Sequence, residues 1–224
     1  GPRKSWAAGD ATSRGVRLAD LTLRGEIGYP SVLTTPTWGF YDVSFKGNQF
    51  KFQRDYGTYV MENILFKISY PAEFHSQTAV EAAITLHGQM QQQGKSLEDI
   101  QSIAIETQES GDRIINKTGV LDNPADRDHC MQYMVSIALI KGSLTAEDYE
   151  DDVASDPRIE QVRDKMTMKE NERFTREYLE ADKRAIGNAI EITFTDGSSI
   201  KESVDYPVGH RRRRSEGIPL LKEK

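Results

Sequence analysis

The chain has 224 residues, a formal net charge of −6 and a single cysteine, Cys130. The negative charge argues against nucleic acid as the main partner, and one cysteine excludes both a disulfide framework and an iron–sulfur cluster held by this chain alone. No apolar run approaches the roughly 18–20 residues of a membrane span, and the four histidines lack the spacing of a zinc motif.

The N-terminal stretch predicts a helix with an unusual number of small side chains. Residues 3–30 carry alanine or glycine at positions 7, 8, 9, 11, 15 and 19, and the glycines at 25 and 28 favour its end. Such a helix has little to bury by itself, so we expect partner helices outside this chain. The chain also begins without Met or a signal sequence, which favours a piece of a longer protein. Residues 31–66 show no strong periodicity.

The central stretch, residues 70–83, places a carboxylate, an imidazole and a hydroxyl within four residues, just before a predicted helix. Thr78 and Glu81 have the spacing of a capping box, so we expect the helix to begin at Thr78 or at Ser76. The N-terminus of a helix carries partial positive charge and free N–H groups, which favour an anion. His75 is therefore a candidate for contact with a carboxylate substrate, although a lone histidine before a helix is more often a turn or packing residue.

Further along the chain, helix and strand patterns follow one another without a regular rhythm. They are a strand near 102–107, a long loop from Gly111 to Pro124, an apolar helix capped by Asp126 or Asp128 that ends at Gly142, helix starts at Thr145 and Asp156, a charged and solvated segment 169–184, and a hairpin of 189–195 with 199–205. In the apolar helix, His129 and Tyr133 are predicted to share a face. Because this order is not a strict βαβ alternation, the predicted fold class is α+β.

Several cationic and acid–base side chains suggest where chemistry could occur. They are Lys4, Lys67, His75, His129, Tyr133, His210 and the run Arg211–Arg214. Fixed cations hold a substrate with several carboxylates, and loss of water beside a carboxylate needs a base for the carbon-bound proton and an acid for the leaving hydroxyl. Histidine and tyrosine suit those tasks, and lysine can stabilise the enediolate-like charge.

Each of these side chains also has a purely structural interpretation. The two lysines are equally typical of a protein surface, and a tyrosine on an apolar helix, such as Tyr133, is usually a core residue with a bonded hydroxyl. Four consecutive arginines usually form a solvated turn or contact nucleic acid, and the acidic chain weakens the second of these interpretations.

Six segments of the chain carry a family resemblance. They are WAAGDATSR at 6–14, GYPSVLT at 28–34, WGFYDV at 38–43, FHSQTAVEA at 74–82, DHCMQYMV at 128–135 and GHRRRRSEGIPL at 209–220. Together and in this order they resemble the MmgE/PrpD family, through essentially the whole chain. The resemblance implies that 1–66 is the C-terminal part of a helical domain, that 67–205 is an α+β lid domain, and that 206–224 returns toward the helical domain. The implied active site lies in the cleft between the two domains.

The resemblance also implies a reaction. Family members remove water from 2-methylcitrate, a tricarboxylate, to give 2-methyl-cis-aconitate in propionate breakdown, without a metal, an iron–sulfur cluster or another cofactor. We expect His75 to be the acid/base residue that matches the lid-side histidine of the family, and Lys4 to be the cleft-facing lysine of the helical domain, whereas Lys67 and Tyr133 match the family less closely. The expected carboxylate ligands are Lys4, Lys67 and Arg211. Support for proton transfer is expected from Tyr133 or His129.

The chain of the family is about twice as long as this one. The resemblance therefore implies a missing N-terminal helical half with further active-site residues, a homodimer, and a location in the mitochondrial matrix of a eukaryote or the cytoplasm of a bacterium. Two alternatives stay open. One is a decarboxylase or epimerase of the same family, and the other is a non-catalytic fragment whose Arg211–Arg214 run binds an anionic partner. Neither a nucleic acid nor a membrane is an expected partner.

Overall fold

The computed structural model of the chain describes residues 6–51, 55, 57 and 62–223. Contacts between Cα atoms divide the chain into two compact units, with the boundary after Gly57. Where it is described, the first unit is helical. Its elements are helix α1 (Ala7–Leu23) and the short helix α2 (Phe40–Phe45).

Helix α1 is shorter than the predicted helix over 3–30. The chain leaves helical geometry after Leu23, and Gly25 has a φ of +100°, a left-handed conformation that glycine adopts without a Cβ clash. No side chain of this described helix is buried, and its apolar residues Val16 and Leu18 are exposed. The exposure of this apolar surface is consistent with the expectation of further helical partners.

The second unit is built on a mixed sheet, which has four strands in the part of the chain that the structure describes. The strands are β1 (Ile100–Thr107), β2 (Met166–Glu170), β3 (Asn188–Phe194) and β4 (Ser199–Val204). Their order is β2-β1-β3-β4, with β1 and β2 parallel and β3 antiparallel to both β1 and β4. Ile103 pairs with Ile192 and Ile105 with Ile190, and all four are fully buried, because alternate residues of a strand share one face.

Helices cover the apolar face of this sheet. The helices of the second unit are α3 (Gln77–Gln92), α4 (Glu109–Ile115), α5 (Pro124–Asp128), α6 (Met131–Lys141), α7 (Asp151–Ala154), α8 (Pro157–Arg163), α9 (Glu172–Leu179) and α10 (Arg214–Glu223). Helix α3 packs on β3, β4 and α6, and α6 packs in turn on α8. Within the described ranges, no helix combines the length and the apolar character that crossing a bilayer requires. The predicted α+β class is confirmed.

Helix α3 begins near the predicted position but without the predicted capping box. Ser76 is the N-cap residue, after a 3₁₀ turn over Phe74–Ser76. The hydroxyl of Thr78 donates to the carbonyl of Ile186, and Glu81 pairs with Arg213 at 2.9 Å. The capping-box prediction is wrong because both side chains are engaged in tertiary contacts rather than at the end of the helix.

Helix α6 ends where predicted, with Gly142 in a left-handed conformation at a φ of +69°, but it starts later than predicted. Asp126 and Asp128, the predicted caps, lie in the separate helix α5. His129 is the residue that closes α5. The prediction that His129 and Tyr133 share a helical face is therefore wrong, because this spacing brings two side chains together only inside one helix.

The predicted long loop is only partly a loop, because helices α4 and α5 occupy parts of it. The charged segment 169–184 contains the end of β2 and all of α9, and it is solvated as predicted except at Phe174, which is fully buried. The hairpin, in contrast, is confirmed as β3 and β4 around Gly197.

The arginine run near the C-terminus is held by partners within the second unit. Arg211 donates to the carbonyl of Asp182, Arg212 lies over the ring of Tyr206 at 5.3 Å, Arg213 pairs with Glu81 and Glu216, and Arg214 donates to the carbonyl of Ile64 at 2.8 Å. These contacts fix the segment from Tyr206 onward against α3 and the residues that precede it. The run is therefore neither fully solvated nor free to bind a partner through all four guanidinium groups.

Alanine at Gly142 is expected to destabilise the protein more than alanine at Gly94. Both glycines have positive φ, 69° and 65°, which costs a residue with a Cβ about 1–2 kcal/mol. A Cβ at Gly142 would lie 2.7 Å from Cδ2 of His87, whereas the space at Gly94 is open. We expect the free energy of unfolding to fall by about 1 kcal/mol more for Gly142→Ala, measured by urea unfolding of the native polypeptide that contains this chain.

The control for this prediction is His87→Ala in the Gly142→Ala background. Removing the ring relieves the added contact, so the double variant should lose less stability than the sum of the two single variants. Equal losses for the two glycine variants, or strict additivity with His87→Ala, would contradict it.

His210 predicts a loss of stability in mild acid. Burial lowers the pKa of His210 to about 4, and the neighbouring charges of Arg211 and Arg212 add to this effect, whereas an unfolded histidine titrates near 6.5. Below pH ~6.5 the unfolded chain therefore binds a proton that the folded chain does not, and stability falls as the pH decreases toward about 4. At higher pH this penalty is absent.

The matching variant is His210→Asn. Nδ1 of His210 accepts from the backbone N–H of Arg212 at 3.1 Å, and an asparagine oxygen can accept the same bond without titrating. Between pH 7 and pH 5, the wild type should lose about 1–2 kcal/mol more of its free energy of unfolding than His210→Asn. Parallel stability curves over this range would refute the assignment.

Candidate active site

His75 lies on the 3₁₀ turn that leads into α3, where the sequence predicted a turn before a helix. Glu73 caps this turn, because its carboxylate accepts the backbone N–H of His75 at 2.8 Å. The turn is anchored from α3 by the amide of Gln77, which donates to the carbonyls of Tyr70 and Ala72 at 3.1 and 2.7 Å. The backbone of His75 is thus fixed by contacts on both sides of the residue.

The imidazole of His75 is contacted at both ring nitrogens. Nδ1 lies 3.0 and 3.1 Å from the two carboxylate oxygens of Glu73, and Nε2 lies 3.3 Å from the hydroxyl of Tyr178 on α9. The residue is buried, with an exposed fraction of 8%. This carboxylate–imidazole–hydroxyl arrangement can hold a proton at a defined position, which is the property that general acid–base chemistry needs.

The start of β3 supports the same turn. Asn188 donates to the carbonyl of His75 at 2.8 Å and to the hydroxyl of Thr78 at 2.7 Å. The hydroxyl of Thr78 donates in turn to the carbonyl of Ile186. The turn that carries His75 is therefore bonded to the strand that forms the hairpin, and both belong to the second unit.

The carboxylate of Glu73 is charged in this environment. Burial alone would raise its pKa, but hydrogen bonds from His75 and the charges of His75 and His129 outweigh burial and lower the pKa below its usual value. The described contacts of His129 are with Asp128 instead, whose carboxylate lies 3.2 Å from its Nδ1. Of the predicted histidines, the described contacts place only His75 on the carboxylate of Glu73.

An open depression lies along the segment that precedes this turn. It has a volume of about 330 Å³ and is lined by residues 67–72, including the exposed Lys67, and by Asp128, but not by His75 or Glu73. A larger cavity of about 610 Å³ lies elsewhere in the second unit, between residues 117–121 and α8. Its lining includes none of the predicted site residues.

The structure places Tyr133 in the core. The residue is 1% exposed, and its hydroxyl donates to the carbonyl of Asp148 at 2.6 Å. Burial raises the pKa of Tyr133 to about 12. These are the features of the structural alternative, a core tyrosine with a bonded hydroxyl.

The remaining predicted site residues are not brought to His75 by the described contacts. The guanidinium of Arg211 bonds to the carbonyl of Asp182. Lys4 lies outside the described residues. Among the residues that the structure does describe, no three His, Cys, Asp or Glu side chains are gathered in a way that could hold a metal ion.

Sequence reasoning gave no role to Glu73 or Tyr178. Glu73 was visible as the carboxylate two residues before His75, but the spacing of an acid and a histidine does not reveal that a tight turn brings their side chains together. Tyr178 lies 103 positions away from His75 in a segment predicted to be solvated. No local sequence pattern connects Tyr178 with His75.

Comparison with known proteins agrees with the family resemblance. Residues 1–53 match the MmgE/PrpD N-terminal domain and residues 70–224 match the MmgE/PrpD C-terminal domain. The chain is 64% identical over 225 residues to the 2-methylcitrate dehydratase of Salmonella typhimurium, covering 100% of this chain and 47% of that protein. The corresponding protein of Escherichia coli K12 is 63% identical, with the same coverage of both chains.

A protein of the yeast Yarrowia lipolytica that is named 2-methylcitrate dehydratase, mitochondrial, is 63% identical over 223 residues, which are 99% of this chain and 43% of that protein. The chain thus spans about half the length of the curated relatives it matches. The C-terminal domain alone accounts for more than half of the chain, and the N-terminal domain match covers most of what precedes it. On both matches, the chain belongs to the MmgE/PrpD family.

Proposed function

We propose that this chain is part of a 2-methylcitrate dehydratase, a hydro-lyase that removes water from 2-methylcitrate to give 2-methyl-cis-aconitate in the methylcitrate cycle of propionate breakdown. The observation that carries this proposal is the identity of 63–64%, sustained over the whole chain, to proteins of that name from two enterobacteria. The fixed imidazole of His75 supports it, because the reaction requires proton transfer beside carboxylates.

The proposed chemistry is an elimination with two proton transfers. One group takes the carbon-bound proton, the electron pair forms the double bond, and the hydroxyl leaves with a proton as water. His75 is the group that this unit contributes to proton transfer. His129 is proposed as a support for proton transfer on sequence grounds, since its Nδ1 pairs with Asp128, whereas the bonded hydroxyl of Tyr133 suits a structural part in positioning α6.

Substrate carboxylates are held by cations in this proposal. Lys67 is the cation that lines the depression along the segment preceding the turn of His75, and an ammonium group there attracts a polyacid. Lys4 is proposed as a second carboxylate ligand on sequence grounds alone. Arg211 is a weaker proposal, because its guanidinium already bonds to a main-chain carbonyl.

The architecture of the whole protein follows from the same proposal. The second unit acts as the lid over a helical domain, the helical half supplies the other active-site residues, and the protein is a homodimer that works without a metal. The exposed apolar residues of α1 support a larger helical domain. We propose a location in the mitochondrial matrix for a eukaryotic source and in the cytoplasm for a bacterial one.

The alternatives within and outside the family are separable by assay. Turnover of cis-aconitate in preference to 2-methylcitrate would indicate a decarboxylase, and racemisation of an amino-substituted acid would indicate an epimerase. Binding of an anionic partner through the arginine run is disfavoured, since each of the four arginines has a partner within the chain.

The first test is His75→Gln in the native polypeptide that contains this chain. Glutamine retains a polar side chain of similar reach but cannot transfer protons near neutral pH, so we expect turnover of 2-methylcitrate to fall by about 10²–10⁴-fold. Appearance of the double bond in ultraviolet absorbance is the measurement.

His87→Gln is the matched control. His87 lies on α3, and its Nδ1 contacts the carbonyl of Leu139 at 2.7 Å, in the interface of α3 with α6. This variant should retain turnover within a few fold. If His75→Gln folds normally and keeps near-wild-type turnover, the assigned role is wrong.

The second test is Lys67→Met. Loss of a cation that binds substrate and transition state alike should raise KM about tenfold with little change in kcat. Lys201→Met is the control, because Lys201 pairs with Glu191 at 3.2 Å on the exposed face of the hairpin. Steady-state kinetics would count against the role of Lys67 if both variants showed the same KM.

A further inference from the structure

Glu73 and Tyr178 enclose the imidazole of His75 between a charged acceptor and a hydroxyl. We propose that these two are positioning residues for His75. Glu73 fixes the proton on Nδ1 so that Nε2 is the nitrogen that exchanges protons, and Tyr178 holds Nε2 in the orientation for exchange. The effect on turnover of 2-methylcitrate rests on the proposed function, whereas the tautomer of the imidazole does not.

The contact with Glu73 determines the tautomer. An ionised carboxylate has acceptor oxygens only, so Nδ1 at 3.0 and 3.1 Å from those oxygens must carry the hydrogen. In a neutral imidazole the other nitrogen, Nε2, then has the free electron pair. The lowered pKa of Glu73 is consistent with this, because the carboxylate then stays ionised at the near-neutral pH at which a neutral imidazole can accept a proton.

The same carboxylate also fixes the ring in space. One of its oxygens accepts the backbone N–H of His75 at 2.8 Å while both accept from the ring. Rotation of the imidazole about its side-chain bonds would break the ring contacts but not the backbone contact. Glu73 therefore stays in place while holding the ring, which is the arrangement found where a second residue orients a catalytic base.

Tyr178 supplies the contact on the opposite edge. Its hydroxyl lies 3.3 Å from Nε2, and the two rings are 5.7 Å apart at their centroids. A hydroxyl both donates and accepts, so it can donate to neutral Nε2 and accept from the protonated form. The contact therefore remains possible in both protonation states of His75, and Tyr178 can hold the ring through a catalytic cycle.

The titratable groups facing His75 are few in the described structure. They are Glu73 on its own turn and Tyr178 on α9, with His129 at the end of α5 acting on Glu73. Glu73 is the group among these that contacts Nδ1. An amide can present either its oxygen or its NH₂ group to a ring nitrogen, so Glu73→Gln should weaken the preference for the Nδ1–H tautomer.

The kinetic test uses Glu73→Gln in the native polypeptide that contains this chain. We expect kcat to fall about 10–100-fold with KM within threefold, because the glutamine amide no longer selects one tautomer of the ring. Glu73→Asp restores a carboxylate, which only accepts hydrogen bonds, on a shorter side chain and should recover part of kcat. A merely structural role would give neither the separation of kcat from KM nor the recovery by aspartate.

Two further variants separate charge from packing. Glu81→Gln is the matched control, because Glu81 is a half-buried carboxylate on α3 that pairs with Arg213 instead. It should leave kcat within a few fold of the wild-type value. Tyr178→Phe keeps the aromatic ring and removes the hydroxyl, so kcat should fall about 3–10-fold while the Nδ1–H tautomer set by Glu73 persists.

A second readout does not depend on turnover. Nitrogen-15 NMR of the imidazole, assigned by the loss of its signals in His75→Gln, should show the Nδ1–H tautomer in the wild type and a mixture of the two tautomers in Glu73→Gln. An Nε2–H tautomer in the wild type, or an unchanged tautomer in a folded Glu73→Gln protein, would overturn the proposal. If the NMR results are as expected but 2-methylcitrate is not turned over, the proposed function fails and the positioning roles stand.

Discussion

The partly buried carboxylate of Glu73 is the group on which the arrangement of the site depends. A carboxylate that leaves water loses a large solvation free energy, and here the backbone and ring N–H groups of His75 replace that solvation. The contacts require the tight 3₁₀ turn, because only there does the main chain at residue 75 return toward the side chain at residue 73. The turn that precedes α3, rather than α3 itself, therefore sets the position of the imidazole.

The sheet determines where this turn lies in the fold. Asn188 opens β3, a strand flanked on both sides by others, and its amide bonds to the backbone of His75. Thr78 adds a second connection through the carbonyl of Ile186. A functional side chain supported in this way by paired strands is located more precisely than one on a free loop. Tyr178 on α9 completes the support from a third region of the chain.

Elements with a complete local signal could be predicted from the sequence. The hairpin is specified by an Asp-Gly turn between alternating strands, and the end of α6 by the left-handed Gly142. Strand β2 could not be predicted, because its parallel pairing with β1 is long-range and its outward residues are polar. The predicted capping box does not form, because Thr78 and Glu81 bond to tertiary partners instead. In the site, His75 could be predicted from the residues around it in the sequence. Tyr178 could not, because only folding brings α9 close to His75.

The described unit provides only part of what the proposed elimination from a tricarboxylate requires. The two proton transfers occur at different substrate atoms, and one imidazole held at Nδ1 by Glu73 offers a single nitrogen, Nε2, for exchange. Three carboxylates also need more positive charge than Lys67 supplies, and the arginines that could contribute are bonded within the chain. The relatives are about twice as long as the matched region. The missing proton-transfer group and cations are therefore best sought in the part of those proteins that this chain does not cover.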